Sequence, residues 1–289
     1  MRLSVSSYSF QQYIRAGKMT QLDTIAAAHD LGLNAIEFTD LVPPAGTDVR
    51  DFAVSLRREA ERLGMTINAY TVGAELYQPT PEAQEAELAR LMAQVDIAEL
   101  LGATVMRHDV CRKLYPTGEG RSFDLMLPTL AKNARMITEY AATKGICTCS
   151  ENHGYIAQDS ERVERLVNAV AHDNYGVLVD IGNFACVDED CATAVSRLAN
   201  FARHAHAKDF IKRPFLMGAV DGYFATRGCN YLRGVAIGEG DIPVKQCIAI
   251  LKRAGYDGFL SIEYEGKEDC IEGIKTGIAT LRQYLAELA

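Results

Sequence analysis

The sequence predicts an α/β protein folded as a single (β/α)8 barrel over residues 1–289. Three observations lead there. A unit made of a helical stretch, a glycine and a short β-prone run recurs along the chain. Eight strand candidates are each followed by helix-compatible sequence. The length of 289 residues suits one barrel of this kind, for which about 250 residues is typical, and eight alternating units favour it over a doubly wound open sheet.

The elements follow in order. The run from Leu3 to Phe10 supplies the first strand. Thr20 and Asp23 have the pattern of a capping box ahead of Ile25 and Ala26, and Asp30-Leu-Gly-Leu-Asn-Ala-Ile-Glu-Phe38 holds a helix end, its glycine stop and the second strand. Between Val49 and Leu63, the residues Phe52, Ala53, Leu56, Ala60 and Leu63 return at three- and four-residue steps, as one face of a helix against a sheet does. The third strand lies in Arg62-Leu-Gly-Met-Thr-Ile-Asn-Ala-Tyr70, and Thr80-Pro81 opens a helix through Leu100 with a capping residue and a proline at the first helical position. Leu101–His108, Lys144–Glu151 and Tyr175–Asp180 give the fourth to sixth strands, Ala205-His-Ala-Lys208 the seventh and Arg253–Glu263 the eighth, before a last helix from Glu268 to Leu288. The apolar runs after the glycines suit strands buried on both faces.

Composition narrows the function. Apolar residues make up 48% and charged residues 24% of the chain, the balance of an ordinary globular protein. A formal charge of -8 places no basic field on the molecule, so nucleic acid and anionic membrane are poor partners and a small neutral or chelating ligand fits better. The N-terminal run has no secretion-signal pattern, and no stretch reaches the about 18 apolar residues that span a bilayer, so a cytoplasmic enzyme is expected. The eight cysteines are scattered without paired metal-finger spacing and read as reduced, buried thiols.

Strand spacing marks one irregularity. Glu151 to Asp180 is 29 positions, Asp180 to His206 is 26, and His206 to Glu263 is 57, about twice a standard unit. The surplus falls at about 209–240, a glycine-rich segment with aromatics, Lys212, Arg227 and Arg233, and is expected to be a long loop after the seventh strand serving as a lid over substrate.

Active residues of such barrels gather at the carboxyl ends of the strands. The later strands end on Glu151, Asp180, His206 and Glu263. One acidic residue at a strand end is commonly a loop anchor or a helix cap, but four polar residues on consecutive strands are a different matter. Three carboxylates crowded into one mouth repel one another, and a bound cation is the natural compensation. Three carboxylates and one imidazole suit a single divalent ion, Mn2+, Mg2+, Co2+ or Zn2+. Weaker candidates, each with a structural alternative, are His108 at the end of the fourth strand, His153 two residues after Glu151, Lys208 on the same strand face as His206, and Glu37 at the end of the second strand. His29, His172 and His204 read as structural, on helical or off-face positions.

Ser150-Glu-Asn-His-Gly154, Val179-Asp-Ile-Gly-Asn183, His206-Ala-Lys-Asp209, Gly238-Glu-Gly-Asp-Ile242 and Ser261-Ile-Glu-Tyr-Glu-Gly266 resemble the strand ends of the xylose isomerase-like TIM-barrel sugar isomerases and epimerases. The resemblance implies that Glu151, Asp180, His206 and Glu263 bind one divalent metal and that Glu151 and Glu263 also exchange protons with substrate. The chain departs from the family pattern where epimerases often carry a histidine three positions after the strand-six aspartate and an arginine six after the strand-seven histidine. Asn183 and Lys212 stand there, and Asn183 joins the candidate substrate contacts.

The chemistry expected is removal of a proton from a carbon beside a carbonyl, through an ene-diolate, with return on the opposite face or at the neighbouring carbon. The leading reading is a metal-dependent sugar isomerase or epimerase acting on a ketose or related carbonyl sugar. The alternative is a lyase that expels water or an aglycone from a keto-inositol or 3-keto-glycoside. A noncatalytic sugar-binding barrel has no need of two proton carriers, and a DNA-repair endonuclease needs more histidines and a less acidic surface. No glycine-rich phosphate cradle is present, and association into a homo-oligomer stays open.

Overall fold

The computed structural model describes residues 1–289. Eight parallel strands close a barrel: β1 (Arg2–Ser6), β2 (Ala35–Thr39), β3 (Thr66–Val72), β4 (Val105–His108), β5 (Cys147–Glu151), β6 (Tyr175–Asp180), β7 (Ala202–Ala207) and, after three short strands described below, β11 (Phe259–Ile262). β11 pairs with both β1 and β7, so the sheet has no free edge. The fold class read from the sequence is the fold observed.

The helices α1 (Gln11–Arg15), α2 (Asp23–Asp30), α3 (Val49–Arg62), α4 (Pro81–Leu101), α5 (Phe123–Ala142), α6 (Ser160–Val170), α7 (Cys191–Leu198), α8 (Val244–Arg253) and α9 (Cys270–Glu287) form the outer layer. Their ends are chemically marked. Thr80 Oγ1 accepts from Ala83 N at 3.3 Å at the head of α4, and Thr20 and Asp23 exchange the two bonds of a capping box ahead of α2. Gly102 closes α4 at φ 75°, a left-handed turn that a residue with a Cβ adopts at a cost. No helix is long and apolar enough to cross a membrane. All eight cysteines are free, and six are buried.

Register decides which side chains enter the barrel. Paired residues of parallel neighbours point to the same side, so the pairs Ser6↔Glu37, Thr71↔Arg107, Arg107↔Cys149, Asp180↔His206 and Ser261↔His206 trace one continuous inward face. That interior is polar toward the carboxyl ends, while the apolar core lies between sheet and helices.

The 209–240 segment, expected as a long loop, instead carries a three-stranded antiparallel sheet of β8 (Asp209–Arg213), β9 (Phe224–Ala225) and β10 (Tyr231–Val235) in the order β8-β10-β9. Phe210 and Leu232 bury against the domain and hold the sheet down. Asp188 fixes its far turn by accepting from Thr226 Oγ1 at 2.8 Å, Gly228 N at 2.7 Å and Asn230 Nδ2 at 2.9 Å.

Candidate active site

Glu151 and Asp180 are the last residues of β5 and β6, His206 lies one residue from the end of β7, and Glu263 directly follows β11. The inward register therefore brings four functional groups from four strands to one mouth. Measured from His206 Nδ1, Glu151 Oε1 is at 3.9 Å, Asp180 Oδ2 at 3.7 Å and Glu263 Oε2 at 3.6 Å. All four ligand atoms lie within 4.8 Å of one another.

These residues fit a divalent ion. Neither ring nitrogen of the buried His206 makes a hydrogen bond, and Nδ1 faces three carboxylates at 3.6–3.9 Å, a donor set that a divalent ion would satisfy. Asp180 Oδ1 is occupied by the backbone N–H groups of Gly182 and Asn183 at 2.8 and 2.9 Å, which turns Oδ2 toward the imidazole. Asn183 Nδ2 donates to Glu151 Oε1 at 2.8 Å.

Two buried cations balance the carboxylates. Lys208 Nζ lies 2.5 Å from Glu263 Oε2, 3.1 Å from Asp180 Oδ2 and 3.4 Å from Glu265 Oε1. Arg107 Nη2 lies 2.5 Å from Glu151 Oε2 and 2.8 Å from Asp109 Oδ1. The two glutamates respond differently. Burial pushes the Glu151 carboxyl above its ordinary range despite Arg107. For Glu263, burial acts in the same upward direction, but the Lys208 ammonium and the His206 ring outweigh it and hold the carboxyl well below that range.

A cavity of about 680 Å3 opens above the four residues and is lined by His153, Asn183 and Lys208 among the expected substrate contacts. His153 Nδ1 lies 2.9 Å from Asp109 Oδ1, which raises its pKa against the opposing effect of burial. Two expected contacts sit elsewhere. Glu37 is fully buried beneath the site, against His204 and His206, so it is out of reach of a substrate. His108 points to the outer face of β4, where its ring stacks on Tyr175 with centroids 6.2 Å apart, because the inward positions on either side of it belong to Arg107 and to Asp109 just past the strand.

The structure adds residues that the sequence reading passed over. Arg107, Glu265 and Tyr8 line the cavity, and burial pushes the Tyr8 phenol up to about 12. Asp109 joins Arg107, Arg112 and His153 in one network. His204, expected off-face, points inward and donates to Glu37. A period of two counted back from His206 is the signal that would have found it.

Comparison with known proteins places this geometry. An inosose dehydratase of Clostridium perfringens strain 13 is 24% identical over 170 residues, 55% of this chain and 54% of that one, so the chain spans about half the length of the curated relatives it matches. Among solved structures, an L-ribulose 3-epimerase superposes with a TM-score of 0.74 at 15% identity, covering 99% of this chain and 95% of that one. The IOLI protein with a bound zinc atom superposes at 0.77 and 14% identity, covering 100% and 99%. At these identities the structural likeness is one of fold. The family model described as xylose isomerase-like TIM barrel matches residues 25–284, from within α2 into α9 and across all four converging residues, and the chain therefore belongs to that family.

Proposed function

We propose that this protein is a divalent-metal-dependent sugar isomerase or epimerase that moves a proton at a carbon beside the carbonyl of a ketose or related sugar. Glu151, Asp180, His206 and Glu263 would hold the ion. When bound there, a divalent cation polarises adjacent carbonyl and hydroxyl oxygens and so acidifies the carbon between them. The observation that carries the reading is the pair Glu151 and Glu263, which reach one imidazole nitrogen from β5 and β11 at 3.9 and 3.6 Å, with Lys208 against Glu263 alone of the two.

The chain's own residues supply the proton transfers. Glu263, held ionised by the Lys208 ammonium, takes the proton from carbon. Glu151, whose burial makes its carboxyl easier to protonate than an exposed glutamate, returns one. Delivery to the opposite face inverts the centre, and delivery to the neighbouring carbon moves the carbonyl. Asn183 and Arg107 each hold one oxygen of Glu151 and fix its aim.

A neutral substrate fits this mouth. Arg107, Arg112 and Lys208, the lysine and arginines that line the cavity, are each paired with carboxylates, which leaves no free cationic cradle for a phosphate among the lining residues.

A second reading, a dehydratase of a keto-inositol or an eliminating enzyme of 3-keto-glycosides, is favoured by the inosose dehydratases among the relatives. It begins with the same proton removal and then expels a β-hydroxyl or aglycone. Incubation with Mn2+ and a panel of ketoses and keto-inositols in D2O, followed by mass spectrometry and NMR, separates the two. One carbon-bound deuterium with an intact skeleton supports the isomerase or epimerase, and loss of water supports the lyase. Exchange no faster than in the Glu151→Gln, Glu263→Gln double variant overturns both.

A further inference from the structure

We infer that Glu37 is a positioning residue that fixes the orientation and tautomer of His206, with His204 as its second anchor; the inference rests on the reading that His206 is a metal ligand. Glu37 is a fully buried carboxylate inside the barrel. Its Oε1 lies 2.7 Å from His206 Nε2, and its Oε2 lies 2.5 Å from His204 Nε2. The two rings meet edge to face with centroids 5.5 Å apart, as neighbours on one strand face.

Glu37, His204 and His206 also have the composition of a metal site, and distance decides against one. Two donors on a common ion, each about 2.0–2.1 Å from it, stand about 3 Å or more apart. The 2.5 Å separation at His204 is that of a hydrogen bond, and the 2.7 Å contact of Glu37 Oε1 with His206 Nε2 is also closer than two donors on one ion stand, although its angle falls outside that of a hydrogen bond. Placing the His206 proton on Nε2, toward Glu37, leaves Nδ1 with a free lone pair, and Nδ1 is the atom that faces Glu151, Asp180 and Glu263. A carboxylate behind a ligating histidine raises its basicity and locks its ring. Glu37 has no route to the cavity, so its effect on the reaction passes through His206.

The test is binding of Mn2+ alone, measured by competition with a chelator, with the melting temperature of the metal-free protein as control. Glu37→Gln should weaken Mn2+ binding about 10–100-fold, and His204→Gln should weaken it less, because it frees only the anchor. In 15N-histidine-labelled wild-type protein loaded with Zn2+, NMR should find the His206 proton on Nε2. An affinity within twofold of wild type in Glu37→Gln, a fall in melting temperature alone, or a His206 proton on Nδ1 overturns the inference. Should Glu37→Gln fail to fold, His204→Gln and the wild-type NMR signature decide. Wild-type protein that binds neither ion brings down the metal reading itself, an outcome distinct from wild-type binding that Glu37→Gln leaves unchanged.

Discussion

The Arg107 guanidinium joins Glu151 to Asp109 inside the barrel, 2.5 Å from one carboxylate and 2.8 Å from the other. Breaking a buried ion pair from one side leaves uncompensated charge in a poorly solvated place, which costs about 3–5 kcal/mol. Arg107→Met should therefore lower stability by about that amount in urea unfolding, and Glu151→Gln in the same chain should restore part of it. A double-mutant cycle should give a coupling of at least about 1 kcal/mol. Strict additivity would show that the two groups do not act as a pair.

Lys208 competes with any cation for the same oxygens. Its Nζ contacts Asp180, Glu263 and Glu265. A unit charge about 4 Å away at an effective dielectric constant near 20 contributes about 4 kcal/mol, so removing this one should tighten divalent-ion binding at least about tenfold. Lys208→Met is expected to bind Mn2+ more tightly, to show a larger metal-induced rise in melting temperature, and to turn over more slowly because Glu263 has lost the group that keeps it ionised. Weaker or unchanged Mn2+ affinity would remove Lys208 from the electrostatics of the site.

His108 gives a pH dependence whose sign can be worked out. Its ring is buried, donates from Nδ1 to the Asp109 carbonyl at 2.8 Å, and has a pKa lowered by burial from 6.5 to about 4. The unfolded chain takes up the proton first as pH falls. The stability contributed by the neutral ring is fully present above pH 6.5 and is lost between there and about pH 4. The loss amounts to roughly 3 kcal/mol. His108→Asn should flatten the stability curve in this window by that amount, and parallel curves for variant and wild type would refute the assignment.

The barrel was legible because its constraints are local and repeated. Strands buried on both faces must be apolar runs, and each helix must stop before its strand, which glycines such as Gly102 do. The converging residues were legible for a related reason, as each is a polar residue near the end of an otherwise buried strand. Parity was harder to read. Arg107-His-Asp109 is polar throughout, and only the pairing Thr71↔Arg107↔Cys149 decides that Arg107 and Asp109 face the mouth while His108 faces the helices. Glu37, expected at the end of the second strand, lies in the middle of β2 and sits too deep to meet substrate, a matter of depth along the barrel axis that a linear pattern does not carry. The small sheet in 209–240 escaped because strands of two to five residues hold too little alternation to stand out from a glycine-rich loop.

The motifs at 206–209 and 238–242 form a lock between two stretches of chain. Asp209 Oδ2 accepts from Gly238 N at 2.9 Å and Gly240 N at 3.0 Å, while Oδ1 accepts from Phe210 N at 2.9 Å and Ile242 N at 3.1 Å. An amide in place of the carboxylate would turn an NH2 group toward two N–H donors, and each buried donor left without an acceptor costs about 1–3 kcal/mol. Asp209→Asn should destabilise the protein by about 2–4 kcal/mol and speed amide exchange at Gly238, Gly240 and Ile242. At Gly240 the reason for glycine is space, since a Cβ there would come within 2.2 Å of Asp209 Oδ1 and 2.7 Å of the Phe210 carbonyl. Gly240→Ala should therefore reproduce the Asp209→Asn exchange pattern. Because Asp209 follows Lys208 directly, both variants should also loosen the hold of Lys208 on Glu263 and slow turnover. Local exchange rates equal to wild type in either variant would show that the lock does not hold this turn.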